Sequence, residues 1–274
     1  MTLLRPDPAR DAYRPLAVHY DLFTAHHWHD LWLERLEALA RAHGLSGRRA
    51  LDVGCGTGKS FLPLVARGYD VTACDISAEM LAQARRCAPD GVRLVEADMR
   101  DLPHLGEFDL VTCLDDAVNY LLGDDDLTRA LASIGRLLAP AGILLFDTNT
   151  LATYDADYGG DQVVEDDGVF MCWRGHGVER DPAGGHRAAA TIEIFRRTGD
   201  GLWQREQSVH RQRHRTRAEV ERAIAGAGLR CLAVKGQRRG AVLEDELDER
   251  VHTKALFVAG RAPALPSDEG GGAT

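Results

Sequence analysis

Two hydrophobic periods alternate along the first half of the chain. Between 28 and 43, Trp28, Leu31, Trp32, Leu36, Leu39 and Ala40 recur at three- and four-residue spacing, which predicts an amphipathic helix. The next apolar run, over 49–53, is short and continuous and leads straight into glycines, as a buried strand does. A helical stretch over 60–67 precedes a strand over 69–74 that stops at Asp75, and a helix over 77–87 precedes a strand over 92–97 that stops at Asp98. A strand from 108 to 114, a helix over 124–138 and a strand over 142–146 continue the series. Alternating strands and helices require right-handed crossovers, so the pattern predicts a parallel, doubly wound sheet.

The rhythm changes after residue 150. Stretches over 169–174, 188–196 and 203–215 read as strands joined by turn sequences at 181–185 and 198–201, with no helical period between them. They predict an antiparallel meander inserted after the fifth strand. Helical spacing resumes at Thr216, where Glu219 three residues on completes a capping box, and that helix ends near Gly226–Gly228. Strands over 230–234 and 253–259 then close the sheet. The organisation that follows is a helical cap (13–47), a core (48–150), an inserted antiparallel region (151–215) and a closing helix with strands (216–262). Residues 1–12 and 263–274, rich in Pro, Gly and charge, read as disordered tails.

Composition narrows the function classes. Forty-two acidic against 33 basic side chains leave a net charge of −9, which argues against a general nucleic-acid binder, since phosphate affinity comes from clustered Lys and Arg. One basic stripe exists near 196–217. The longest apolar runs fall far short of the roughly 20 residues that span a bilayer, and the Pro-containing, charged N-terminus lacks the apolar segment of a secretory signal. A cytoplasmic protein is expected, monomeric or homodimeric, with no membrane partner. Cysteines 55, 74, 87, 113, 172 and 231 show no C-x-x-C spacing and read as buried reduced thiols. His26, His27 and His29 diverge around a helix, so no metal is expected.

The chemistry begins at Leu51-Asp52-Val53-Gly54-Cys55-Gly56-Thr57-Gly58-Lys59-Ser60. A glycine run between strand and helix lets a ligand approach the backbone closely. A phosphate-binding G-x-x-x-x-G-K-[ST] loop needs glycine where Val53 stands, and a dinucleotide G-x-G-x-x-G fingerprint needs one at Lys59. The segments DVGCGTG, CDISAEML, VEADMRDLP, FDLVTCLDDAVNYL and LLAPAGILLFD, in that order over 48–150, resemble the motifs of the class I S-adenosylmethionine (SAM) dependent methyltransferases. The resemblance implies a Rossmann-like seven-stranded sheet with a helical cap, SAM as methyl donor and S-adenosylhomocysteine as product. It implies that Gly54, Gly56, Thr57 and Gly58 surround the methionyl end, that Asp52 helps hold the amino group, and that Asp75 accepts from the ribose hydroxyls. Asp98 would accept from the adenine amine, with Met99, Met80, Ile76 and Leu114 alongside, and Tyr13 and Tyr20 would cover the cofactor.

The acceptor is expected at the carboxyl ends of the strands. The loop Asp115-Asp116-Ala117-Val118-Asn119-Tyr120 resembles that of small-molecule N-methyltransferases of the glycine and amino-sugar type, which marks Asp116 and Asn119 as catalytic candidates. In 209–217, Arg211, Arg213, Arg215 and Arg217 alternate with His210, Gln212, His214 and Thr216. If the arginines are solvated, His210 faces the site as a candidate base; the converse places the arginines on an anionic substrate. Trp173 and Trp203 are candidate walls for an aromatic acceptor. The expected activity is methyl transfer to nitrogen or oxygen of a small molecule. The rival readings are a SAM-bound scaffold or cyclase, an NAD-type dehydrogenase, and an RNA or protein methyltransferase.

Overall fold

A computed structural model describes residues 7–25, 29–180 and 185–262. Five parallel strands, β1 (Arg49–Val53), β2 (Asp70–Asp75), β3 (Arg93–Glu96), β4 (Phe108–Cys113) and β5 (Leu138–Asn149), form one side of the main sheet. Helices α3 (His29–Ala42), α4 (Phe61–Ala66) and α5 (Ala78–Cys87) cover one face, and α6 (Asp126–Gly135) with α8 (Arg217–Gly226) covers the other. Strand residues therefore alternate between two cores: Ala50, Val71 and Leu110 meet Leu36, Phe61 and Leu81, whereas Leu51, Val111 and Phe146 meet Leu131, Ile134 and Ile224. Burial on both faces explains why these strands read as continuous apolar runs.

Antiparallel strands complete the sheet. Its order is β3-β2-β1-β4-β5-β12-β10-β11, with β10 (Leu229–Arg238), β11 (Val242–Glu244) and β12 (Lys254–Arg261). The expected seven strands are present, and β11 adds a three-residue edge too short to leave a sequence pattern. The order reverses between β1 and β4, the switch point at whose carboxyl end ligands bind in open sheets.

A second, four-stranded antiparallel sheet has the order β6-β7-β8-β9, from β6 (Asp161–Asp166), β7 (Val169–Glu179), β8 (Arg187–Arg197) and β9 (Trp203–Arg213). Its inner face, with Met171, Trp173, Ala190, Ile192 and His210, packs over α7 (Leu151–Asp157) and the N-terminal segment. Neither α7 nor β6 was expected. LATYDAD is a weak helical sequence ordered by burial of Tyr154, and DQVVED is a nearly all-exposed edge strand whose charges hide its alternation and blunt pairing with other chains.

The N-terminal segment differs from the expected tail. From Pro8 the chain forms α1 (Pro8–Tyr13), capped by the Asp7 carboxylate on Ala9 N at 2.9 Å, and then α2 (Tyr20–Phe23). Strand β9 stops at Arg213, and the arginine stripe is not uniformly solvated: Arg215 is buried, donating to the carbonyls of Leu121 and Gly123. Of the free cysteines Cys55, Cys74 and Cys113 are buried, but Cys87 is exposed and Cys172 and Cys231 are half-buried. The sequences 26–28, 181–184 and 263–274, including His26 and His27, lie outside the described residues. No helix among the described residues is long and apolar enough to cross a membrane.

Phe146 on β5 stacks on Phe257 of β12 at 5.1 Å, both fully buried where the parallel and antiparallel halves of the sheet join. Phe146→Ala is expected to cost about 3–5 kcal/mol in urea unfolding, by lost burial and the cavity left behind.

Candidate functional site

The glycine loop leaves β1 with Gly54 and Gly56 at φ +72° and +55°, a region that favours glycine. Both also need to lack a side chain: a Cβ on Gly54 would lie 3.1 Å from Ala117 Cβ, and one on Gly56 3.2 Å from Met80 Cε. Asp75 at the end of β2 laces the loop to the next turn, accepting from Gly56 N at 2.9 Å and Ser77 N at 2.8 Å. Burial raises its carboxyl against those two N–H groups. Beyond these glycines lies a narrow cavity of about 90 Å³ lined by Asp75, Ile76, Met80, Asp98, Met99 and Leu114. Two strand-end carboxylates flanking an apolar, thioether-rich slot offer acceptors for hydroxyl and amine groups around a flat ring, and that donor set fits an adenosine.

Asp98 carries a strong partner. Burial works to raise its carboxyl, but Arg100 outweighs that and holds it low: Nε lies 2.9 and 3.0 Å from its two oxygens and Nη2 2.6 Å from one. Arg100 Nη2 also binds Asp7.

Other expected cofactor residues stand behind the wall. Asp52 is buried beneath the loop, accepting from Ser60 Oγ at 2.5 Å and Thr112 Oγ1 at 2.7 Å, and burial pushes its carboxyl up to about 6. It lines neither cavity, and nor do Thr57 and Gly58. Thr57 Oγ1 donates to Asp21 at 2.6 Å, and Lys59 Nζ donates to Thr24 O at 3.0 Å and Asp21 O at 3.2 Å, so both fasten α2 to the loop. The Gly-Lys-Ser ending is a clamp on the N-terminal segment.

A larger cavity of about 760 Å³ adjoins the first, and Tyr13, Tyr20, Asp115 and Tyr120 line both. One end of it is acidic. Asp115 and Asp116 follow β4 with left-handed φ of 55° and 54°, a strained conformation that costs about 1–3 kcal/mol each but that aspartate tolerates better than most residues. Lys254 Nζ lies 2.7 Å from Asp147, 3.3 Å from Asp116 and 3.5 Å from Asp115. His29 Nε2 meets the other Asp115 oxygen at 2.7 Å, and Asp116 accepts from Gln212. Burial disfavours the Lys254 ammonium, yet three carboxylates outweigh it and hold the lysine charged. Two of the acids are raised: Asp116 by burial and by Asp115 against Lys254, and Asp147 by burial to about 6. Another part of its lining is aromatic, with Trp173 5.2 Å from Tyr158 and stacked on Phe23 at 6.0 Å.

The catalytic candidates divide. Asp116 reaches the chamber. Asn119 does not: its amide donates to Tyr154 Oη at 2.9 Å and Arg213 O at 3.0 Å and accepts from Asn149 N at 3.1 Å, which makes it a strut between β4, β5 and β9. His210 lines the chamber, but burial lowers its imidazole to about 4, so it is neutral, and its Nδ1 shares a hydrogen bond with Tyr120 Oη at 2.8 Å. So weak a base positions Tyr120 better than it removes protons. Trp203 is exposed, far from the role expected of it. Lys254 and Asp147 were missed, and Tyr120 and Gln212 were named without a role. Asp147 follows an apolar run as Asp75 and Asp98 do, and Lys254 is one of only three lysines. Among the described residues no group of three His, Cys, Asp or Glu side chains is arranged to hold a metal.

Comparison with known proteins agrees with this geometry. Residues 50–142 match a family model described as a methyltransferase domain. A putative methyltransferase of Bacillus subtilis is 32% identical over 192 residues, 61% of this chain and 76% of its own. The dTDP-3-amino-3,6-dideoxy-alpha-D-glucopyranose N,N-dimethyltransferase of Streptomyces fradiae is 31% identical over 228 residues, covering 81% and 86%. Among solved structures, SAM-bound CalS10, an amino pentose methyltransferase from Micromonospora echinaspora, superposes with a TM-score of 0.65 at 28% identity, covering 89% and 95%.

The electrostatics make two predictions. Lys254→Met leaves the buried Asp147 and the half-buried Asp116 without their cation and is expected to destabilise the fold by about 3–5 kcal/mol at pH 8. The deficit shrinks as pH falls through about 6, because carboxyls raised in the folded state take up protons there, an effect read by urea unfolding at pH 8 and pH 5. His210 acts in the opposite sense. Its folded value lies near 4 against 6.5 when free, so its contribution to stability is complete above pH 6.5 and is lost as pH falls toward 4. His210→Phe is expected to flatten that part of the stability profile.

Proposed function

The chain belongs to the class I SAM-dependent methyltransferases, and on that premise we propose that it methylates the nitrogen of a small amine in the acid-lined chamber. Enzymatic methylation of a small molecule follows from its relatives; the nitrogen is the finer reading. The observation that carries it is the charge at the chamber's acidic end, where three carboxylates, Asp115, Asp116 and Asp147, meet one lysine and, at Asp115, the His29 imidazole. Carboxylates that outnumber the permanent cations beside them favour a further cation, and an acceptor that arrives as an ammonium supplies one. Relatives named for N-methylation of amino sugars support the same choice of atom.

Asp75 and Asp98 would hold the ribose and adenine of SAM, and the glycines would leave room for its methionyl end. When bound, SAM supplies an electrophilic methyl carbon on a sulfonium. The chain's own task is alignment and proton removal. Holding the reactants in line is worth about 7–11 kcal/mol of barrier where geometry is right. The shared wall of Tyr13, Tyr20 and Tyr120 lines both cavities, and burial raises all three phenols, so they remain neutral and offer oxygen atoms to the transfer zone. Asp116, raised by burial and by Asp115, is a better proton acceptor than an ordinary carboxylate and takes the proton an ammonium must shed. A hydroxyl acceptor demands a stronger base. Trp173 and Phe23, stacked on each other, with Tyr158 edge-on to Trp173, provide an aromatic wall for the rest of the acceptor.

Incubation with SAM and a matched panel of amines and alcohols, read by mass spectrometry, is expected to yield methylated amines; a panel in which only alcohols react overturns the nitrogen assignment. Asp116→Asn is expected to lower kcat by about 10²–10⁴ while S-adenosylhomocysteine affinity stays within about twofold of wild type.

A further inference from the structure

Helix α1 is six residues long, and a helix that short has no stability of its own. What orders it must be its contacts, and these lie on both cavities. At its start, Asp7 caps Ala9 N through Oδ1 and pairs with Arg100 through Oδ2. Arg100 is the residue that clamps Asp98, the expected adenine acid, and it reaches Asp126 of α6 at 3.4 Å. Midway, Arg10 Nε donates to Ile76 O at 3.2 Å, beside the same pocket. At its end, the Tyr13 ring stands 5.2 Å from both Tyr120 and His210.

The helix thus runs along the line where the two cavities meet. Asp7 and Ala9 line only the cofactor cavity, Leu16 only the acceptor chamber, and Tyr13 both. Asp7 and Tyr13 are about 9 Å apart along the axis at 1.5 Å per residue. Building on the cofactor reading above, we propose that the Asp7–Arg100 ion pair couples the two cavities: it fastens α1 over the cofactor pocket and, through the same short helix, sets Tyr13 and the following α2 as the wall of the acceptor chamber. Asp7 and Arg100 are positioning residues, since neither touches the chamber. Arg100 holds Asp98 and Asp7 with one guanidinium, so a ligand that seats against Asp98 fixes the group that holds the strap, and the strap with it. The acceptor chamber is complete only when the cofactor pocket is closed.

The test uses the whole protein with S-adenosylhomocysteine as probe, by calorimetry and amide hydrogen exchange. In the wild type, saturating probe is expected to slow exchange at 9–14 and at 20–24 by about tenfold or more. Asp7→Asn is expected to weaken probe binding about three- to tenfold, the loss of one charge-assisted contact, and at saturation to leave 9–14 and 20–24 exchanging as in the unliganded protein. Asp126→Asn also removes a carboxylate from Arg100, but not one on the strap, and is expected to keep the protection. Protection of 20–24 in Asp7→Asn equal to that of the wild type overturns the coupling, as does a wild type whose bound probe leaves α1 unchanged. Failure of the probe to bind the wild type overturns the cofactor reading itself and the coupling with it.

Discussion

One ammonium, that of Lys254, faces three carboxylates at the carboxyl edge of the sheet, and the proposed acceptor chamber takes its character from that excess of acids. Topology brings the lysine there. Strand β12 runs antiparallel to β5, so its first residue, Lys254, pairs with Asn149 near the end of β5 and lies beside Asp147. A parallel strand at that place would carry its first residue to the opposite edge. Lys254 also draws Asp115 and Asp116 together, and Asp147 accepts from Asp116 N at 2.9 Å, so the left-handed turn after β4 is stabilised by the same cluster that makes it acidic.

The two cavities are best understood as one site divided by a wall. Its tyrosines come from three places: Tyr13 from α1, Tyr20 from α2 and Tyr120 from the turn after β4. None of these elements is stable alone. The second sheet supplies the support, with His210 hydrogen-bonded to Tyr120 and Gln212 donating to Asp116, while Lys59 and Thr57 of the glycine loop grip α2. The inserted meander therefore serves as both roof and scaffold for residues that lie outside it in sequence.

Much of the proposed cofactor pocket was legible in the sequence because its chemistry is local. A glycine run after one strand and a lone aspartate following each of the next two are visible without knowing what faces them, and Asp75 and Asp98 both line the smaller cavity. The limits appear where identity did not reveal direction. Asp52 sits between two aspects of the same strand end, and the hydroxyls of Ser60 and Thr112 turn it inward. Asn119 looked like a loop amide at the site, yet its three partners come from residues 30 to 94 positions away, which no local pattern encodes. For Lys254 the difficulty was the same: its partners lie 107 to 139 residues upstream. Alternation along β9 did predict the buried face of His210 and Gln212, but the strand's early end let Arg215 turn inward to cap carbonyls at 121 and 123.

Calorimetric titration of the protein, saturated with S-adenosylhomocysteine, with small cationic amines and their neutral isosteres across pH tests the acidity of the chamber most directly. The account requires the cations alone to bind, with affinity falling as pH drops through about 6 and the shared carboxylates take up protons. Neutral isosteres that bind equally well, or cation affinity that rises as pH falls, would contradict it.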